Sequence, residues 1–121
     1  MKKILIVDDE PNIIMALEYA LKKNNYSIFI GRDGKEAMHI AQKEEPNLIV
    51  LDIMMPDVDG FEVINFIRSQ DSLKATKVIF LSAKNKASDI QEGLKAGADA
   101  YLTNPFSMKN LLKQINNHIK N

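Results

Sequence analysis

The chain has 121 residues, 45% hydrophobic and 26% charged, a size and balance that suit one soluble domain around one core. Sixteen Lys and Arg offset sixteen Asp and Glu, so the zero net charge removes the bulk electrostatic argument for nucleic acid or an anionic membrane. With no cysteine there is neither a disulfide framework nor a thiolate metal site, which fits a cytoplasmic location.

The first apolar run, Ile4 to Val7, is far shorter than the ~7–15 residues of a signal-peptide core. No segment approaches the ~20 apolar residues of a membrane span. In chain order, "KILIV" (3–7) reads as a strand, followed by Ile13, Ala16, Leu17, Ala20 and Leu21 on one helix face. Asn12 is the candidate cap of that helix, just behind Pro11. "YSIFI" (26–30) is followed by Ala37, Ile40 and Ala41, and "NLIVL" (47–51) by Val63, Ile64 and Ile67. "KVIFL" (77–81) is followed by Ile90 and Leu94. "AYLT" (100–103) leads into Met108, Leu111, Leu112, Ile115 and Ile119, with Ser107 as N-cap.

Strand then helix, five times over, predicts βαβ units, a parallel sheet and right-handed crossovers that put helices on both faces. The first, third and fourth strands are nearly all apolar, as strands covered on both sides should be. The fold class is α/β, a doubly wound five-stranded sheet. In the order 2-1-3-4-5, strands 1 and 3 meet at the topological switch point. Their C-terminal ends then bring Asp8 and Asp9 together with Asp52.

Three carboxylates at short range repel one another, which points to a cation between them. Oxygen donors select Mg²⁺, and a carboxylate beside such an ion can act as a nucleophile and form an aspartyl-phosphate. Ser82 ends the fourth strand and offers a hydroxyl, and Asn104 ends the fifth. Other polar residues read as ordinary structure: Asp57 and Asp59 as turn formers, His39 and His118 as surface, and most of the six Met as core filling.

"ILIVDDEPNI", "LIVLDIMMPDVDGFEVI", "VIFLSA" and "GADAYLTNPF" follow one another at the spacing of a known family. The sequence resembles a receiver domain of two-component response regulators, the group that includes the chemotaxis receiver, over essentially the whole chain. The resemblance implies a flavodoxin-like (βα)5 fold filling residues 1–121 as a single receiver with no output domain. It implies that Asp52 accepts a phosphoryl group from a histidine kinase or phosphotransfer protein in a Mg²⁺-dependent reaction. Asp9 and Asp8 would hold the ion with Asp52, Met54 adding its backbone carbonyl. Ser82 would bond the phosphoryl group and Tyr101 would be the switch aromatic. Such a protein is a phosphorylated signalling switch, not a turnover enzyme. Its downstream protein partner would meet the face built from residues 87–103 and the last helix, with no direct nucleic-acid or membrane contact.

The family reads "KPF" where this chain reads "NPF". Asn104 therefore stands where a lysine ammonium contacts phosphate, and the Asn104–Pro105 bond is expected to be cis, as in the family. The second reading is a degenerate receiver, a protein-binding module that signals weakly or without phosphate. A third, an aspartyl-nucleophile phosphohydrolase, would need Asp-x-Asp spacing that "VDDEP" lacks unless Glu10 serves as the second acid. An FMN binder is disfavoured because "DDEPN" would repel the cofactor's phosphate.

Overall fold

The computed structural model describes residues 1–119. Its strands are β1 (Lys3–Val7), β2 (Ser27–Gly31), β3 (Leu48–Asp52), β4 (Lys77–Ser82) and β5 (Ala100–Thr103). Its helices are α1 (Pro11–Lys23), α2 (Gly34–Glu44), α3 (Gly60–Ser69), α4 (Ala87–Lys95) and α5 (Met108–His118), with a short 3₁₀ turn at Asp71–Leu73. All neighbouring strands pair in parallel, in the order β2-β1-β3-β4-β5. The expected fold class is the observed one.

Alternate residues of the inner strands feed two apolar layers. Ile4, Ile6, Val50 and Ile79 pack with Leu17, Leu111 and Ile115, beneath α1 and α5. Leu5, Val7, Leu51 and Phe80 pack with Ala37, Val63 and Ile67, beneath α2 and α3. Burial on both faces is why "LIVL" and "VIFL" carry no polar alternation.

Side-chain caps start three of the helices, and of these Ser107 is the one expected from the sequence. Asp33, Asp59 and Ser107 accept from the backbone N–H of Glu36 (2.8 Å), Glu62 (3.0 Å) and Asn110 (3.2 Å). Asp59 is thus a helix cap rather than only a turn former. The start of α1 corrects the expectation for Asn12. Pro11 occupies the first turn, where its missing N–H costs nothing, so Glu10 is the N-cap and Asn12 lies inside the helix.

Leu94 also departs from expectation: it is 45% exposed. The buried position of α4 is instead Gly93, because a Cβ there would come within 2.7 Å of the Tyr101 ring. A glycine carries no hydropathy signal for this close approach. Of the methionines, Met1, Met15 and Met54 are exposed, so core filling describes Met38, Met55 and Met108 only.

At the far end of α4, Gly97 has φ +116°, and Arg68 donates to its carbonyl through Nε (3.1 Å) and Nη2 (2.8 Å). The same guanidinium donates to the Thr76 carbonyl (2.7 Å) and to Asp99 Oδ2 (3.1 Å). This clamp ties α3 to the entries of β4 and β5. The Asn104–Pro105 bond is cis.

Candidate functional site

Sheet register assembles the site. Val7 pairs with Leu51, so the next residues along, Asp8 and Asp52, leave β1 and β3 side by side. Ser82 pairs with Thr103 one step beyond the pairing of Asp52 with Leu81, and the Asn104 N–H donates to the Ser82 carbonyl (2.7 Å). Four strand tips therefore ring one end of the sheet.

Asp8, Asp9 and Asp52 each contribute a carboxylate oxygen, all within 4.8 Å of one another. They line a crevice of about 330 Å³ together with Glu10, Met54, Ala83 and Asn104. Asp8 is only 4% exposed, and its Oδ1 accepts from the Glu10 N–H (2.8 Å). Asp52 Oδ1 accepts from the Met54 N–H (3.2 Å).

Burial, then the charge on Asp8, pushes the Asp52 carboxyl up to about 7; Asp9 and Glu10 add to this and the Met54 N–H opposes it. Asp8 is raised as well, first by burial, with the Glu10 N–H working against it. A site that raises its own carboxyls in this way favours a cation. The donor set fits a hard ion that takes oxygen ligands at ~2.0–2.1 Å and keeps several waters.

The other expected residues sit around this trio. Met54 is 56% exposed, and its backbone N–H faces Asp52. Ser82 is 2% exposed and its Oγ accepts from the Lys84 N–H (3.1 Å). Tyr101 lies edge-on to Phe80, ring centroids 6.2 Å apart, and its hydroxyl donates to the Lys84 carbonyl (2.9 Å). The backbone of Lys84 is thus held by Ser82 on one side and Tyr101 on the other. Asn104 is exposed at the crevice mouth.

Sequence reasoning left out Glu10 as a wall of the crevice; its adjacency to Asp9 was the available signal. Lys84 lines a neighbouring cleft with Asp59, Phe61 and Glu92. His39 is exposed. His118 is half-buried instead of solvated, with Nδ1 donating to the Gln114 carbonyl (2.7 Å) at the opposite end of the sheet. Among the described residues no helix is long and apolar enough to cross a membrane.

Comparison with known proteins agrees with this geometry. The family model for the response regulator receiver domain matches residues 4–116. The alkaline phosphatase synthesis transcriptional regulatory protein PhoP of Bacillus subtilis (strain 168) is 44% identical over 106 residues, 88% of this chain and 43% of that protein. The chain therefore spans less than half the length of that relative. The structure of chemotaxis protein CheY4 of Vibrio cholerae is 33% identical, with a TM-score of 0.92, covering 98% of this chain and 99% of that one. The receiver domain of sensor histidine kinase PA1611 of Pseudomonas aeruginosa PAO1 is 28% identical, with a TM-score of 0.89, covering 99% and 98%. That structure has a magnesium ion coordinated in its active-site cleft.

Proposed function

The chain belongs to the response regulator receiver-domain family of two-component signalling, and from that premise we propose how its own residues work. Receivers of this family are phosphoryl-accepting switches that take the group from histidine kinases, not turnover enzymes. In this chain Asp52 is the acceptor. Asp8, Asp9, Asp52 and the Met54 carbonyl are the residues that would hold Mg²⁺. The supporting observation is the convergence of three carboxylates from adjacent strand tips within 4.8 Å.

Bound there, the ion would offset carboxylate charge and draw charge from the phosphoryl oxygens. The rest is positioning by the protein. The Met54 N–H fixes Asp52 Oδ1, which leaves Oδ2 to attack phosphorus in line. Since Ser82 Oγ accepts from Lys84, its own proton is free to donate to a phosphoryl oxygen. A hydroxyl drawn toward the phosphoryl group pulls on the Lys84 backbone, and through it on the Tyr101 hydroxyl. The surface of α4, β5 and α5 then changes for a downstream protein partner.

Incubation with Mg²⁺ and a small phosphodonor should add the mass of one phosphoryl group, and Asp52→Asn should abolish the addition. Undiminished labelling of that variant would assign the acceptor elsewhere.

A further inference from the structure

The crevice around Asp52 is short of positive charge. Asp8, Asp9, Glu10 and Asp52 line it, and no lysine, arginine or histidine does so among the described residues. Asn104 presents a neutral amide at its mouth. Lys84, two residues past the β4 tip, lines the adjoining cleft instead. A divalent cation offsets two of the four lining charges, so a phosphoryl dianion still enters a negative site.

We propose that Asn104 makes this crevice selective for phosphodonors that carry a positive charge beside the phosphoryl group, and selective against anionic acyl phosphates. The proposal rests on Asp52 being the acceptor. Donors of the favoured class have phosphorus bonded to a protonated nitrogen, as in phosphoramidate or a phosphoimidazolium ring. With phosphoramidate, the Asp52 oxygen forms a bond to phosphorus as the P–N bond breaks. Its electron pair leaves on nitrogen, releasing neutral ammonia. The approaching nitrogen has N–H groups that the Asn104 side-chain carbonyl can accept, and its charge lowers the repulsion of entry.

Acetyl phosphate transfers the same group but releases acetate as the P–O bond breaks, placing one more carboxylate among those already there. A fixed ammonium at position 104 would erase the difference. It would attract the acyl phosphate and repel a cationic nitrogen.

The test is the rate constant of Asp52 labelling by phosphoramidate and by acetyl phosphate, read by intact mass at saturating Mg²⁺ and constant ionic strength. The phosphoramidate-to-acetyl phosphate ratio should be about tenfold higher in the native protein than in Asn104→Lys, chiefly because acetyl phosphate becomes faster in the variant. Asn104→Ala, which stays neutral but removes the carbonyl acceptor, should lower the ratio less than Asn104→Lys does. On the unchanged protein, methylammonium should accelerate acetyl phosphate and leave phosphoramidate unaffected, a measurement that stands even where the lysine variant does not fold. An equal ratio in native and Asn104→Lys proteins, or no response to methylammonium, overturns the selectivity. Failure of both donors to label Asp52 overturns the acceptor assignment instead.

Discussion

Asp52 holds opposing demands in one side chain: it must be buried enough to be positioned, yet ionised to attack. Without metal, burial and Asp8 hold its carboxyl at about 7 against an ordinary 3.8. A carboxyl raised in the folded state stabilises the fold while protonated. That contribution is complete below the unfolded value and is lost as pH climbs through the folded one. Asp8, also raised, acts in the same direction. The metal-free melting temperature should therefore fall as pH rises from about 4 to about 8. Asp52→Asn should flatten that slope and melt higher at the alkaline end. The ceiling is on the order of 4 kcal/mol, and solvent at the crevice mouth reduces it to about 2 kcal/mol. Thermal scans across pH in chelator check this; a melting temperature that climbs with pH would contradict it.

Among the elements, α4 is held unevenly. Its C-terminal end runs into Gly97, whose carbonyl is gripped by Arg68, while its N-terminal end follows the Lys84 segment held by Ser82 and Tyr101. Midway, Gly93 lets the helix close on Tyr101 and Phe80. Gly93→Ala would put a Cβ 2.7 Å from one Tyr101 ring carbon and 2.9 Å from another, so ring or helix must move. We expect a loss of about 1–3 kcal/mol, with faster amide exchange across 84–101. If denaturant melts show no loss, α4 is packed more loosely than this geometry describes. The same glycine explains why Leu94 misled the reading of this helix. Its tightest contact is made by the residue without a side chain.

The whole molecule is a sheet covered on both sides, with the carboxylates of Asp8, Asp9 and Asp52 clustered at one end. Any cation that binds this end in the folded chain alone must stabilise the entire domain. At tenfold excess over its dissociation constant, Mg²⁺ should add about 1.4 kcal/mol. Asp9→Ala removes one oxygen from the trio, so it should weaken this gain while leaving the metal-free protein no less stable. Calorimetry with and without Mg²⁺ separates the two effects. A variant that melts lower without metal and responds fully to it would show that Asp9 is not a ligand.

Five alternations of apolar strand and amphipathic helix pointed to a parallel doubly wound sheet, because five such units are too few to close an eight-stranded barrel and helices on both sides cover the strands of an open sheet. The order 2-1-3-4-5, which the family resemblance implied, then placed Asp8 and Asp52 together, since each follows the last apolar residue of its run. The sequence also showed that a neutral amide stands at position 104. Tertiary structure decided the rest. Which wall Glu10 forms, which cleft Lys84 enters, and that Ser82 and Tyr101 hold the same backbone unit depend on loop paths that no hydrophobic period encodes. The lack of positive charge among the described residues lining the crevice is of this kind: lysines are plentiful in the chain, and only the fold decides which residues line it.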